Sequence, residues 1–352
     1  MAFLSGATAS PLTESRLLSS FRMSSESTST PVSRRDFVSR LAVAGAALPF
    51  VGAGSAARAA ETKPAKPASP APTVIHVFSK PLHWMSYADT AAMVKAAGYG
   101  GIDYTVRAAQ GHVLPERVQE DLPRAIDAAH AAGLKVELIT TKITSVRDQH
   151  AETVLKTAAK LGVKCYRTGN FNYDAKLGVT GTHEKLRPGL KELAALNASL
   201  GIHGAIQNHA GTRVGSALWD LHALLRDIDP RGLGVQYDIR HAVVEGGQSW
   251  PVALKLLAPW IRCTDMKDFK WEQAPGKATI ENVPIGEGVV PFDAYFKLVR
   301  ELQIAGPMSV HLEYPPFERT QLSEAEKRAK FPALMKKDLL ALKGFMAKQH
   351  IV

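Results

Sequence analysis

Short apolar runs alternate with segments of helical periodicity from residue 74 to the end of the chain. A short run rich in apolar and β-branched residues is typical of a buried strand, and apolar residues spaced three and four apart are typical of a helix. The predicted strands are 74–79, 101–106, 135–140, 164–169, 203–208, 234–239, 261–267 and 307–314. The predicted helices are 90–97, 122–132, 151–161, 184–200, 218–228, 252–257, 292–302 and 334–348.

This order, a strand and then a helix repeated eight times in about 280 residues, predicts a single (β/α)8 TIM barrel of the α/β class. Several helical segments end in glycine just before the next strand, as in "AAGLKVE" and "KLGVKC". A doubly wound sheet is the alternative, but it calls for a glycine-rich phosphate turn after the first strand, where this chain has "FSKPLHW". In a barrel, we expect reactive groups at the carboxyl ends of the strands.

The first sixty residues have a different character. The segment "SRRDFVSRLAVAGAALPFVGAGSAARAAE" (33–61) resembles a twin-arginine export signal with an A-x-A cleavage site, and Met1 or Met23 could be the start. A membrane anchor is the alternative, but the apolar run is short and contains glycines and Pro49. We therefore expect a signal region (1–60), a flexible Pro/Ala-rich linker (61–72), a barrel domain (73–350), a periplasmic location and no stable membrane insertion after cleavage.

Charge and cysteine content exclude some classes of function. The net charge of +10 falls to about +7 once residues 1–60 are removed, and the remaining Lys and Arg are spread over helices without a cluster. This pattern favours a solvated surface over a nucleic-acid site. The two cysteines, Cys165 and Cys263, fall in strand-like runs rather than at metal-ligand spacings, so we expect unpaired buried thiols.

Polar side chains collect where the predicted strands end. A single such residue is more often a paired structural group than a ligand, but the last four strands in succession all carry them, and buried ionisable groups must be paired to be tolerated. Residues two apart on a strand share a face, as do Gln207 with His209, and Asp265 with Lys267. The full set is Lys80, His83, Arg107, His112, Glu116, Arg167, Asn170, Gln207, His209, Asp238, His241, Asp265, Lys267, His311 and Glu313.

Five motifs carry a family resemblance: "QNHAG" after strand five, "YDIRHAVVEGG" after strand six, "KDFKW" after strand seven, "VPIGEGVVPF" and "HLEY". The barrel as a whole resembles the xylose-isomerase-like superfamily of sugar phosphate isomerases and epimerases. The resemblance implies a divalent metal, Mn²⁺, Mg²⁺ or a similar ion, held by one residue each from strands five to eight: Glu, Asp, His and Glu. Asp238 and Glu313 match this pattern, and His241 matches a substrate-contacting histidine.

Two positions depart from that pattern, since Gln207 stands in place of the first Glu and Asp265 in place of the His. An oxygen set of Gln207, Asp238, Asp265 and Glu313 still suits Mg²⁺, Mn²⁺ or Ca²⁺. His209 or His311 could supply a nitrogen ligand instead, and the ammonium of Lys267 could partly replace the metal.

Gln207 also bears on mechanism. The family's epimerases use the first and last Glu as two acid/base groups, and a carboxamide cannot take a proton. A one-base reaction stays open, in which Glu313 removes a proton α to a carbonyl, a metal or Lys267 polarises the oxygen, and His209 or His241 handles the oxygen proton. We expect substrate contacts from His83, Arg107, His112, Arg167 and His311, and sugar stacking or packing roles for Trp84, Trp250 and Trp271.

The expected function is thus a sugar isomerase or epimerase acting on a small-molecule sugar, with a homo-oligomer possible. The alternatives are a lyase acting on 3-keto-glycosides by β-elimination, and a catalytically degenerate sugar-binding barrel, which Gln207 favours. A barrel endonuclease is disfavoured, because it needs a richer set of zinc ligands and a basic groove.

Overall fold

The structure, a computed structural model, describes residues 73–351. Eight parallel strands close into a barrel in which each strand pairs with the next along the chain and the last pairs with the first, so the predicted (β/α)8 fold is confirmed. The predicted signal region and linker lie outside the described residues. The barrel strands are β1 (Ile75–Phe78), β2 (Gly101–Thr105), β3 (Leu138–Thr140), β4 (Cys165–Arg167), β5 (His203–Gln207), β6 (Leu233–Asp238), β7 (Ile261–Met266) and β10 (Met308–Val310).

Helices surround the barrel and cover its outer face. They are α1 (Tyr87–Ala97), α2 (Val118–Ala131), α3 (Ala151–Lys160), α4 (Gly178–Leu200), α5 (Leu218–Leu225), α6 (Ile239–Gly246), α7 (Trp250–Leu257), α8 (Phe292–Glu301) and α9 (Glu324–Lys348). Within the described residues, no helix combines the length and apolar character needed to cross a membrane.

The last helix, α9, starts ten residues before its predicted beginning at Leu334. Ser323 and Glu326 form a capping box at its N-terminus, and Pro332 lies within the helix. The predicted helix, 334–348, begins after this proline, whereas the observed helix continues through it, although proline is normally unfavourable in a helix interior. The segment after β6 also differs from expectation, since Asp238 accepts a hydrogen bond from the backbone of His241 and so caps an additional helix, α6.

An antiparallel hairpin, which the sequence analysis did not predict, follows β7. It consists of β8 (Asp268–Ala274) and β9 (Lys277–Val283) and is separate from the barrel sheet. Asp268 anchors its base, because its carboxylate accepts backbone hydrogen bonds from Gly286, Gly288 and Val290. The hairpin therefore stands at the carboxyl end of β7, the face that holds the candidate site.

The interior of the barrel changes from apolar to polar along its axis. One layer consists of Leu138, Cys165, Ala205 and Cys263, and both cysteines are free and buried, as expected. Nearer the mouth, the buried carboxylate of Asp103 accepts hydrogen bonds from Thr140 and Ser309. A buried polar layer of this kind is tolerated only where its members are hydrogen-bonded to one another.

Candidate active site

Strand register brings the polar residues of β5, β6 and β7 together. Gln207 lies beside Gln236, and Asp238 lies beside Asp265. All four side chains are buried, and Asp238 and Asp265 have no exposed surface. Charged carboxylates without access to water must be paired, so the partners of these two residues define the site.

Lys267 supplies the central positive charge. Its Nζ lies 2.9 Å from Oδ2 of Asp238 and 3.2 Å from Oε2 of Glu313. Nε2 of His241 lies 2.8 Å from the same Nζ. The side chain of Lys267 is only 3% exposed, whereas that of Glu313 is 21% exposed. Glu313 thus offers a carboxylate at the open end of the cluster, with a buried ammonium behind it.

Gln207 acts as a hydrogen-bond donor to two carboxylates. Its Nε2 donates to Oδ2 of Asp238 at 3.0 Å and to Oδ2 of Asp265 at 2.6 Å, while its Oε1 accepts from Nη1 of Arg167 at 3.1 Å. The opposite orientation of the amide would set an oxygen against two carboxylates and an NH₂ against a guanidinium, so the partners fix it. We call Gln207, Asp238, Asp265, Lys267 and Glu313 the ion-paired side of the mouth.

His311 links the two outer carboxylates of this side. Its Nε2 lies 3.3 Å from Oδ1 of Asp265, and its Nδ1 lies 3.8 Å from Oε1 of Glu313. Gln236 donates a further hydrogen bond to Asp265. His311 is buried beneath Phe78, whose ring stacks on it at 4.3 Å, so the structure places this predicted substrate contact under the site.

The charges on the ion-paired side hold one another ionised. Burial alone would lower the pKa of His311, but Asp265 and then Glu313 raise it to about 9. Burial alone would raise the pKa of Glu313, but Lys267 and His311 hold it well below its usual range. Burial also opposes the charge of Lys267, yet Asp238 and Glu313 raise the pKa of its ammonium. The base at this site is consequently an ionised carboxylate facing two cations.

The donor set does not fit a divalent cation. Fold and register bring Gln207, Asp238, Asp265 and Glu313 together, but an ammonium stands between two of the carboxylates and Gln207 directs hydrogens at two of them. Within residues 73–351, no group of three or more His, Cys, Asp or Glu is arranged to hold a metal. The carboxylates of Asp238, Asp265 and Glu313 already lie against Lys267 and His311, so the expected metal stays a prediction that this geometry does not favour.

Two neutral imidazoles lie near the ammonium. The rings of His209 and His241 have centroids 4.2 Å apart and are tilted by 33°. Burial, followed by the charge of Lys267, lowers the pKa of both rings, that of His241 strongly. His241 is buried in contact with Lys267, whereas His209 is only partly buried. His209 is therefore the accessible neutral imidazole of the site.

The other half of the mouth is built from β1, β2 and β4 and carries cations without carboxylate partners. The guanidinium carbons of Arg107 and Arg167 lie 5.7 Å and 5.3 Å from the centre of the Phe78 ring. We call Phe78, Arg107 and Arg167 the arginine side of the mouth. Within the part of the chain that the structure describes, no carboxylate oxygen lies within 4 Å of either guanidinium.

His83 and His112 lie beside the arginine side with ring centres 5.3 Å apart. Nε2 of His83 lies 2.7 Å from Oγ1 of Thr105, and the backbone of His112 donates to the same oxygen at 2.8 Å. Burial lowers the pKa of His83 to about 3, with His112 and Arg107 contributing, and lowers that of His112 to about 4. Both rings are therefore neutral hydrogen-bonding groups at physiological pH.

The remaining candidates lie around the rim. Lys80 pairs with Glu318 and lies 3.8 Å from Glu313. Glu116 and Asn170 are exposed. Trp271 is on the exposed hairpin strand β8, whereas Trp250 is buried at the start of α7 against Tyr295, where it serves the core. Trp84 packs against Phe331 with Arg328 over its ring.

Sequence reasoning missed the residues that position the cluster. Asn208 donates to the carbonyl of Asp238 at 2.9 Å and accepts from its backbone amide at 2.8 Å. Asn282, on the hairpin strand β9, donates to the carbonyl of Glu313 at 2.9 Å and accepts from Arg240 at 2.6 Å. A signal existed for Asn208, which stands in the "QNHAG" motif, and for the hairpin, whose strands flank a Pro-Gly pair.

Comparisons with known proteins identify the class to which this fold and site belong. A family model described as xylose isomerase-like TIM barrel matches residues 91–334, and the chain belongs to that family. No curated protein is significantly similar to the chain.

Solved structures of the same fold include several sugar-processing enzymes. The chain is similar to a D-psicose 3-epimerase with D-tagatose from Clostridium cellulolyticum H10 (11% identity, TM-score 0.59, covering 78% of this chain and 99% of that one). It is also similar to a 3-keto-D-glucoside 4-epimerase from E. coli (13%, 0.57, 77% and 99%). A third is a xylose isomerase-like TIM barrel protein from Mycobacterium smegmatis in complex with magnesium (14%, 0.58, 79% and 98%). At these identities the likeness shows the fold alone.

Proposed function

We propose that this protein is an isomerase- or epimerase-type enzyme that abstracts the proton α to a carbonyl of a sugar or keto-sugar, with the Lys267 ammonium in the place of a divalent metal. The observation that carries the proposal is the contact between a buried ammonium and the partly exposed carboxylate of Glu313, at 3.2 Å. A fixed cation beside a base is what enolisation needs, because negative charge develops on the carbonyl oxygen as the proton leaves carbon.

The proton moves to Glu313. One of its carboxylate oxygens takes the α-hydrogen, the C–H electron pair forms a carbon–carbon double bond, and the carbonyl π electrons move to oxygen as an enediolate. The ammonium of Lys267 stabilises that oxygen, which compensates for the weak basicity of a carboxylate whose pKa is held low by Lys267 and His311 against the effect of burial. Return of the proton from Glu313 to the neighbouring carbon isomerises the sugar. Inversion of the same carbon requires a proton from the opposite face, for which a protonated His209 would be the donor, and both groups would then be reset by exchange with solvent.

We assign to His209 the transfer of the proton between the sugar oxygens. Gln207 cannot act as a second acid or base, and its NH₂ group is committed to Asp238 and Asp265. The imidazole of His209 is neutral, since burial and Lys267 lower its pKa, and its ring centre lies 4.2 Å from that of His241, which contacts the ammonium. A neutral imidazole can accept a proton from one sugar oxygen and deliver it to the other.

A β-elimination at a 3-keto-glycoside is the second candidate. It needs one carboxylate base and a proton for the leaving oxygen. Glu313 takes the α-proton, and that proton can pass to the leaving oxygen through the neutral imidazole of His209, without a second carboxylate. The similarity of the fold to a protein described as a 3-keto-D-glucoside 4-epimerase adds support for keto-sugar substrates. The twin-arginine-like segment supports a periplasmic location, which we propose with it.

Proton exchange with solvent tests the proposal. The full chain is incubated in deuterated water with D-fructose, D-tagatose and a 3-keto-glucoside, and deuterium at the α carbon is followed by NMR. We expect exchange that falls by at least about 100-fold in Glu313→Gln and survives in Gln207→Ala. Glu120→Gln, at an exposed carboxylate on α2, is the matched control and should leave exchange unchanged.

Two outcomes separate the alternatives. Release of the aglycone from the 3-keto-glucoside, with no isomer of the other sugars, favours the elimination. Absence of exchange with every sugar would contradict the proposed chemistry and leave a sugar-binding barrel.

A further inference from the structure

The arginine side of the mouth holds two like charges close together. Arg107 and Arg167 both lie against Phe78, and one face of that ring is already covered by His311 at 4.3 Å. Burial and then the neighbouring Arg167 lower the pKa of the Arg107 guanidinium, and the more distant carboxylates of Asp103 and Glu313 only partly offset this. Two guanidiniums in a half-buried pocket repel unless an anion joins them.

The chain itself offers little to join them. Nη2 of Arg107 is buried and has no hydrogen-bond partner within residues 73–351, and its Nε donates to the backbone of Gln110 at 3.2 Å. Within the described residues, the hydrogen bond that Arg167 donates is through Nη1, to Gln207. The buried carboxylate of Asp103 acts on both guanidiniums from a distance, but it makes no ion pair with either of them, and its hydrogen bonds come from Thr140 and Ser309. An unsatisfied buried guanidinium nitrogen is costly unless a ligand satisfies it.

A cavity opens directly at Arg107. Its volume is about 540 Å³, and Arg107, Lys142 and His150 lie in its wall with the acidic Glu116 and Asp148. Arg167 and Glu313 do not line it, so the cavity adjoins the arginine side at Arg107 and does not lie between the two guanidiniums. Oδ2 of Asp148 accepts hydrogen bonds from Thr144 and Ser145. Such a volume is sufficient for a sugar-sized molecule or a substituent of one.

We propose that the arginine side of the mouth binds a carboxylate carried by the sugar, between Arg107 and Arg167, so that the substrate is a sugar acid rather than a neutral sugar. The proposal rests on the proposed function for the placement of the reacting carbon at Glu313. A carboxylate matches the site because one donor face remains on each guanidinium and a planar carboxylate has two oxygens to receive them.

Binding measurements with matched ketoses test this. D-Fructose, D-fructuronate and D-fructose 6-phosphate share a ketose head and differ in the group at the far end. Titration calorimetry on the full chain should show D-fructuronate binding about 10- to 100-fold more tightly than D-fructose. Arg107→Gln and Arg167→Gln should each reduce the affinity for D-fructuronate to that for D-fructose. Arg124→Gln, at an exposed arginine on α2, is the control and should change nothing.

Each contrary result has a definite meaning. Equal affinity for D-fructose and D-fructuronate, or arginine variants that retain the preference, would overturn the proposal. Tighter binding of D-fructose 6-phosphate would overturn the choice of a carboxylate. Inorganic phosphate or acetate binding as tightly as D-fructuronate would show an ion site without a sugar. If Arg167→Gln fails to fold, Arg107→Gln still decides the matter, because Arg107 makes no side-chain to side-chain bond that the fold needs.

The outcome is separable from that of the proposed function. Glu313→Gln should keep the preference for D-fructuronate, since it removes a proton acceptor and not an arginine. If the protein catalyses solvent exchange but binds D-fructuronate no more tightly than D-fructose, the proposed function stands and this inference is wrong. If it prefers D-fructuronate but catalyses no exchange, this inference stands and the proposed function is wrong.

Discussion

The two sides of the barrel mouth differ in how their buried charges are paired. On the ion-paired side, the carboxylates of Asp238 and Glu313 meet Lys267 at 2.9 and 3.2 Å, and Gln207 bridges Asp238 and Asp265. On the arginine side, two guanidiniums share one aromatic ring and have no carboxylate within 4 Å in the described residues. The paired charges of the first side are already positioned to stabilise a reacting group. The unpaired guanidiniums of the second side are available to bind the negative charge of a ligand.

The largest expected effect comes from removing the central cation of the ion-paired side. Lys267→Met leaves the buried carboxylate of Asp238 without its nearest positive charge, so we expect the free energy of unfolding to fall by about 3–5 kcal/mol and solvent exchange to be lost. Urea denaturation measures the first effect. Lys270→Met, at an exposed lysine on β8, should change stability by less than about 0.5 kcal/mol. An equally small change in Lys267→Met would mean that the pair is not formed.

A smaller effect is expected where a neutral residue holds the cluster in place. Asn208→Ala removes the two hydrogen bonds to the backbone of Asp238 and leaves a buried amide and carbonyl unsatisfied. We expect a loss of about 1–3 kcal/mol in the free energy of unfolding. The same change should lower the turnover number more than it alters KM, because Asn208 positions Asp238 without touching substrate. Asn208→Asp should not restore the stability, because a buried carboxylate oxygen would then face the carbonyl of Asp238 without a cation to pair with.

The arginine side should respond in the opposite sense. Arg107→Gln removes one of two repelling cations, so we expect the free energy of unfolding to stay within about 0.5 kcal/mol of its original value or to rise slightly at low ionic strength. Thermal denaturation in low and high salt measures this. A loss comparable to that of Lys267→Met would show that Arg107 is paired within the chain and that the comparison between the two sides is wrong.

The smallest effect is expected from pH on the sugar affinity, through the two histidines that lie beside the arginine side. Burial lowers the pKa of His83 to about 3 and that of His112 to about 4, so both are neutral in the folded protein above about pH 4. These two rings should therefore cause no change in sugar affinity between about pH 5 and 8, whereas the buried carboxyl of Asp103, whose pKa burial raises to about 6, does titrate there. A change in affinity near pH 6.5 that persists in Asp103→Asn would show that one of these rings is charged or exposed.

The sequence was sufficient for the barrel because its signal is repeated eight times. Alternation of buried strands and amphipathic helices survives errors at single boundaries, such as the ten residues missed before Leu334 in α9. The strand ends could also be located, and the fold does bring Gln207, Asp238, Asp265, Lys267 and Glu313 to one side of the mouth.

The partners of those residues could not be predicted from the sequence. Strand position shows that Gln207 faces the mouth, but whether its oxygen or its NH₂ faces the carboxylates depends on Arg167, from a different strand. The depth of His311 beneath Phe78 depends likewise on a contact between the first and last strands. Asn282 reaches the site only through the hairpin, whose pairing is independent of the barrel pattern.

Solvent exchange by metal-free protein tests the central claim most directly. The full chain is stripped of metal with a chelator, its metal content is measured, and deuterium uptake by a keto-sugar is compared with and without added Mn²⁺ or Mg²⁺. If Lys267 stands in the place of the metal, exchange proceeds without metal at the same rate, is unaffected by either ion and is lost in Glu313→Gln. Exchange that vanishes on stripping and returns with Mn²⁺ or Mg²⁺ would contradict the account.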